Sequence, residues 1–172
     1  MTATEKHSIR RATAADADGI LSCLLAAFRA YRERYTPKAF SDTVLDRAKL
    51  GRRLDEMTVF IAVTDEGVVL GTIACEIVAV GEGRLRGMAV RPASQGYGIA
   101  QQLLAWAERT LREQGCSRVT LGTTELLERA RGFYEKSGYR LSGRTSDFYG
   151  MKLLEYEKML PRSGERKPDA GA

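Results

Sequence analysis

Val90-Arg-Pro-Ala-Ser-Gln95-Gly96-Tyr97-Gly98-Ile99-Ala100 is the stretch on which the reading of this chain turns. Before it, Arg84–Val90 has strand character. After it, Ile99, Leu103, Leu104, Ala107 and Leu111 repeat on one face of a helix ending near Gly115. The stretch therefore joins a strand directly to an amphipathic helix. A helix start leaves about four backbone N–H groups without internal partners, and the helix dipole adds partial positive charge there. Gly96 and Gly98 lack a Cβ, so an anion can approach the backbone, and Ala100 keeps the first turn slim. Such a loop suits a phosphate or pyrophosphate. A glycine pair at this junction also makes a plain turn, and the loop alone does not separate the two.

Known phosphate motifs narrow the choice. A dinucleotide fingerprint G-x-G-x-x-G/A begun at Gly96 needs Gly or Ala where Gln101 stands. The loop is also not at the first strand of a βαβ unit. No G-K-[ST] follows, which excludes a P-loop. A pyrophosphate site of another type remains.

Working outward, Ser8–Ala12 reads as a first strand, and Ile20, Leu21, Leu24, Leu25 and Phe28 predict a helix over about Ala14–Arg32. Thr36-Pro37 breaks it, and Phe40–Met57 reads as a second helix. Thr58–Thr64 and Val68–Val80, split by the turn Asp65-Glu66-Gly67, predict an antiparallel hairpin that continues into Arg84–Val90. Beyond the loop helix come a short strand (Ser117–Gly122), a helix (Glu125–Lys136), and last strands at Tyr139–Ser142 and about Phe148–Met159. This is a mixed α/β domain of the α+β kind. Residues 161–172, rich in Pro, Gly and charge, read as a disordered tail.

Two pieces of the chain resemble a known family. Leu85-Arg-Gly-Met-Ala-Val-Arg-Pro-Ala-Ser-Gln-Gly-Tyr-Gly-Ile-Ala100 closely resembles the acetyl-coenzyme A signature of the Gcn5-related N-acetyltransferases (GNAT), [RQ]-x-x-G-x-[GA], with Gln95, Gly98 and Ala100 in its fixed places. Ala130-Arg-Gly-Phe-Tyr-Glu-Lys-Ser-Gly-Tyr139 looks like the family's downstream A-x-x-F-Y-E-K-x-G-[FY] element. The resemblance implies a single GNAT-like domain over residues 1–160, with a central, mostly antiparallel, twisted sheet splayed at the cofactor site and flanked by helices.

It also implies roles. Met88, Ala89 and Val90 become the strand beside the pantetheine, which pairs with the backbone of Met88 and Val90. The amides from Gln95 through Gly96, Tyr97, Gly98, Ile99 and Ala100 to Gln101 hold the pyrophosphate. The Met88 N–H faces the thioester oxygen. Tyr134 matches the tyrosine that protonates, or merely holds, the leaving sulfur. A lysine-like amine has a pKa around 10, and a carboxylate, directly or through water, could take its proton. Glu76 and Glu82, near the ends of the two strands flanking the expected substrate cleft, are the candidates. One position departs: Leu127 stands where many members carry an Asn that contacts the cofactor. That hydrogen bond is lost or is supplied by Thr123 or Thr124. The implied activity is acetyl transfer from acetyl-coenzyme A to a primary amine of a small molecule or peptide, through a ternary complex, with no metal. Family habit adds a homodimer. The resemblance also sets the acceptor cleft against Thr36–Leu54 and Arg144–Gly150, whose Arg47, Arg52, Arg53, Arg144, Phe148 and Tyr149 suit either a carboxylate-bearing amine or plain solvated surface.

Composition bounds the alternatives. The 172 residues, 44% hydrophobic and 28% charged, suit one globular domain, and no apolar run reaches the ~18 residues of a membrane helix. Cys23, Cys75 and Cys116 are scattered, and the N-terminus lacks an apolar signal core, which together predict a cytoplasmic protein. The only histidine, His7, argues against a histidine-based metal site or triad. A net charge of +5 permits an acidic partner, but no run of five basic residues points to nucleic acid. A coenzyme A sensor without catalysis is the competing reading, favoured by Leu127.

Overall fold

Strand β2 (Thr58–Thr64) carries the β-branched run, and all of it but Thr58 is buried. It lies second in a seven-stranded sheet ordered β1-β2-β3-β4-β5-β7-β6. In the computed structural model, which describes residues 6–162, the flanking strands are β1 (His7–Arg11), β3 (Val69–Ala79) and β4 (Glu82–Val90). The far half of the sheet is β5 (Arg118–Thr124), β6 (Arg140–Phe148) and β7 (Met151–Met159). Every neighbouring pair is antiparallel except β4 and β5. A parallel pair needs a long crossover, and helix α4 (Ile99–Glu113) supplies it.

The sheet buries both faces. On one side α1 (Ala17–Phe28) and α3 (Arg47–Glu56) set Ile20, Leu24 and Leu50 against Ile61, Val69 and Ala89. On the other, α4 and α5 (Glu128–Lys136) set Leu103, Leu111 and Tyr134 against Ile73, Leu121 and Tyr156.

A bulge in β4 redirects its side chains. Thr72 faces Ala89 and Ala74 faces Arg86, so Ile73 alone opposes both Gly87 and Met88. Gly87 has φ +59°, a value natural to glycine. The extra residue switches the alternation: Leu85 packs toward α4 and so does Val90, although an undisturbed strand would send them to opposite faces.

Several boundaries differ from the sequence reading. The expected helix Phe40–Met57 is two helices, α2 (Pro37–Val44) and α3. Leu45 between them takes φ 61°, and Asp46 caps α3 by accepting from Lys49 N at 2.8 Å. Apolar spacing runs on across the break because both helices pack on the same core. The expected helix Ala14–Arg32 is regular only over α1, with 3₁₀ turns at Ala14–Asp16 and Arg29–Arg34. Phe148 ends β6 and does not begin the last strand, because Asp147–Gly150 turns there, with Asp147 accepting from Gly150 N at 3.2 Å. The expected tail falls outside the described residues from 163 onward.

Candidate active site

The parallel pair β4–β5 is in register only from Glu82↔Arg118 to Leu85↔Leu121. Beyond that, β4 stays with β3 as far as Val90↔Gly71, and β5 stays with β7 as far as Thr124↔Leu153. Each strand is therefore held by its outer neighbour while the inner edges part at the bulge. The result is a cavity of about 890 Å³ running from the glycine loop, past the Arg86–Val90 edge, to aromatic residues of the first helical segment.

At the loop end, Pro92–Ser94 makes a short turn and Gln95 pins it by donating from Nε2 to Val90 O at 3.1 Å. Gly96 and Gly98 have φ +88° and +79°. A Cβ on Gly96 would meet nothing within 4 Å, so there the demand for glycine is conformational. The first helical bond of α4 is Gln102 N to Gly98 O at 3.1 Å, and no side chain caps the helix. The amides of Ile99, Ala100 and Gln101 thus precede the first intrahelical bond, the arrangement that binds anions.

Midway along the cavity stands Tyr134 of α5, buried at 9% exposure. Its hydroxyl donates to Met88 Sδ at 3.4 Å, and its ring meets Phe133 and Tyr139 edge-on at 5.5 and 5.8 Å. Burial raises its phenol far above the ordinary tyrosine value, so it keeps its proton at any physiological pH. Thr123 Oγ1 is buried and has no hydrogen-bond partner among the described residues, and Thr123 also lines the cavity. Its neighbour Thr124 is hydrogen-bonded to Tyr35 Oη at 3.2 Å.

The structure brings most of the sequence-derived residues together. Met88, Ala89, Val90, Gln95, Gly96, Gly98, Ile99, Ala100, Gln101 and Tyr134 all border this cavity, whereas Tyr97 is 43% exposed and outside its lining. The two carboxylates lie elsewhere. Glu76 faces Arg84, with Oε1 4.0 Å from Nη1. Glu82 sits at the closed end of the parallel pair, 3.3 Å from Arg118, which also binds Glu157 at 2.8 Å. Neither lines the cavity; Asp42 and Glu155 do.

On the far side, the expected segments Thr36–Leu54 and Arg144–Gly150 contribute Asp42, Thr43, Arg53, Ser146 and Phe148 to the lining, while the aromatic residues ahead of them were missed. Phe28, Tyr31 and Tyr35 line the cavity and, with Phe40 outside its lining, form a chain of ring contacts at 6.4 to 6.5 Å. Their spacing of three, four and five residues was a visible signal, but the break before Pro37 hid it.

Residues 23–139 match the acetyltransferase (GNAT) family. The chain belongs to this family. Among solved GNAT-like structures, the PaiA N-acetyltransferase of Thermoplasma acidophilum, in complex with coenzyme A, superposes with a TM-score of 0.74 at 18% identity, over 87% of this chain and 98% of that one. The ribosomal-protein-S18-alanine N-acetyltransferase of Escherichia coli gives 0.72 at 15% identity, over 95% and 99%. At these identities the likeness is one of fold. A curated relative, the aminoalkylphosphonate N-acetyltransferase of Salmonella typhimurium (strain LT2), is 37% identical over 60 residues. That match spans 35% of this chain and 39% of the relative's length. The splayed, mostly antiparallel sheet is thus the GNAT sheet. No helix among the described residues is long and apolar enough to cross a membrane.

Proposed function

We propose that this protein is an N-acetyltransferase that moves the acetyl group of acetyl-coenzyme A to a primary amine by direct attack, with both substrates bound together. The observation that carries the reading is the β4–β5 opening, which links an anion-binding helix start to a second, aromatic-lined end of one cavity.

The residues present fit that cosubstrate. The amides ahead of the first α4 bond and the open space at Gly96 suit a pyrophosphate. The inner edge of Arg86–Val90, unpaired toward β5, suits a ligand carrying amides of its own. Thr123 Oγ1, buried without a partner, suits a further polar contact and answers the loss implied by Leu127. Bound there, acetyl-coenzyme A supplies an acetyl group activated as a thioester.

The chain's own groups divide the remaining work. The Met88 N–H is assigned to the carbonyl oxygen whose negative charge grows during attack. Tyr134 holds its proton at Oη against only a weak thioether acceptor, so it gives up little in turning to a leaving sulfur. Neither expected base lines the cavity, and Glu76 is the more loosely held of the two, 4.0 Å from Arg84 against 3.3 Å between Glu82 and Arg118. Glu76 is therefore kept as the proton acceptor, acting through water.

The test is release of free thiol from acetyl-coenzyme A across a panel of amines. The name of the curated relative makes aminoalkylphosphonates the first to try. Turnover with at least one amine supports the reading. Tight coenzyme A binding with no thiol release across the panel would instead make the protein a sensor, the alternative that Leu127 favours.

A further inference from the structure

Three guanidinium groups and two carboxylates share the bulge end of the sheet, on the face covered by α2 and α3. Arg86 Nη2 lies 3.7 Å from Asp42 Oδ2, and Arg84 Nη1 lies 4.0 Å from Glu76 Oε1. Both carboxylates are thereby engaged. Arg53 of α3 is the surplus cation: among the described residues its guanidinium makes no hydrogen bond and no ion pair, and Asp42 and Glu76 reach it only as longer-range charges.

This surplus group is not free in solvent. Arg53 is half-buried and borders both the main cavity and a second one of about 430 Å³. Its guanidinium lies directly over Gly87, where any Cβ would collide with Nη1. The positive φ is what calls for glycine at position 87, and the room it leaves is where the guanidinium rests. Burial, with Arg86 adding repulsion, pulls the Arg53 pKa down to about 10, which leaves it charged at neutral pH. A charged, partly buried donor without a partner is costly to keep unless something anionic meets it.

We propose that Arg53 determines acceptor specificity by binding an anionic group, a carboxylate or phosphonate, carried by the amine substrate a short chain away from its nitrogen. The proposal rests on the acetyl-transfer reading. The chain is short because Gly87, under the guanidinium, directly precedes Met88, whose N–H is assigned to the acetyl carbonyl. The planar fork of a guanidinium matches both oxyanions with paired hydrogen bonds. The second cavity reinforces the attraction: besides Arg53, Lys38, Lys49, Arg52 and Arg86 line it against Asp42 and Glu56, a positive surround that draws anions toward Arg53.

The experiment compares three amines of one chain length: an amino carboxylate, its phosphonate counterpart, and the neutral carboxamide. Thiol release is measured with wild type, Arg53→Leu and Arg53→Lys, alongside coenzyme A affinity and melting temperature for each. Wild type should use at least one anionic amine with kcat/KM on the order of 100-fold above the carboxamide, the worth of a charge-assisted hydrogen-bond pair. The larger arm identifies the anion. Arg53→Leu should erase that preference through KM, leave the carboxamide within about threefold, and keep coenzyme A affinity; Arg53→Lys should recover part of it. Equal use of acid and amide by wild type overturns the proposal. So does an equal loss on both in Arg53→Leu, or loss of coenzyme A binding, which marks a structural role. If coenzyme A binds but no amine releases thiol, the acetyl-transfer reading fails. Equilibrium binding of the anionic amines to the coenzyme A-loaded protein, wild type against Arg53→Leu, then still decides the role of Arg53.

Discussion

The two ends of the β4–β5 opening are made of different material. The loop end is backbone: positive-φ glycines, an uncapped helix start and a strand edge that has lost its partner. The bulge end is side chain: an aromatic row from Phe28 to Tyr35, and guanidinium groups outnumbering the carboxylates that pair with them. Backbone donors recognise what is common to every turnover and tolerate little change in conformation. Side chains can be exchanged singly without disturbing the sheet, so the acceptor end is where specificity is free to vary. In this molecule the opening is a constant grip joined to an adjustable one.

The sharpest way to break that contrast is at the loop. Gly98→Val should lower coenzyme A affinity by at least about 100-fold, because a β-branched residue is strained at φ +79° and the first-turn amides would reorient. Isothermal titration with coenzyme A measures the loss, and circular dichroism should show the fold retained. The nearest atom to an added Cβ is Gln101 Oε1 at 3.6 Å, so packing is not the cause. Unchanged affinity in this variant sinks the pyrophosphate assignment.

Tyr134→Phe comes next. It should reduce kcat by roughly 100-fold while coenzyme A affinity stays within about threefold, since only the hydroxyl proton is removed and the ring keeps its contacts. An unchanged kcat would reduce Tyr134 to a packing residue and leave the opening without a proton donor from α5.

Thr123→Val separates grip from stability. Replacing a buried hydroxyl that has no partner by a methyl of similar shape should stabilise the coenzyme-free protein by about 1 kcal/mol, read as a higher melting temperature. The same change should weaken coenzyme A binding several-fold. Stabilisation without weakening would show that the hydroxyl faces no ligand.

The smallest effect lies away from the opening and serves as its control. Asp16 accepts from Arg10 Nη1 and Nη2, each at 2.8 Å, and from Thr13 N at 2.8 Å. The Arg10 hydrogen bonds, chiefly, draw its carboxyl from 3.8 down to about 2. A depressed carboxyl stabilises the fold above the unfolded pKa, and the benefit disappears as pH falls through the folded one. Asp16→Asn should therefore cost about 1 kcal/mol at pH 6 and progressively less from about pH 4 toward pH 2, with acetyl transfer unaffected. Denaturant melts of both proteins across that range provide the check.

The same contrast sets how far the sequence could be read. The loop, its helix and the element Ala130–Tyr139 are continuous stretches whose function depends on glycine placement and apolar period, both visible in a string of letters. Glu82 was read from its strand position alone; its engagement by Arg118 depends on a parallel pairing that only α4 brings about. The break at Leu45 escaped because two helices on one core keep the spacing of a single long one. Asp46 was its local signature, a capping residue ahead of Lys49.

By itself the sequence determined the strand–loop–helix cradle, the tyrosine at the right place on the following helix, and the family fold they imply. Those depend on neighbours in the chain. Tertiary structure decided which side chains meet at the acceptor end, where Tyr35, Asp42, Arg53, Arg86 and Phe148 arrive from different segments. No spacing rule connects them; they meet because a bulge at Gly87 and strands held apart by their outer neighbours open a space that α2 and α3 close from the side. The pairing that leaves Arg53 unmatched is a sum over that assembled cluster, and it exists only once the sheet is formed.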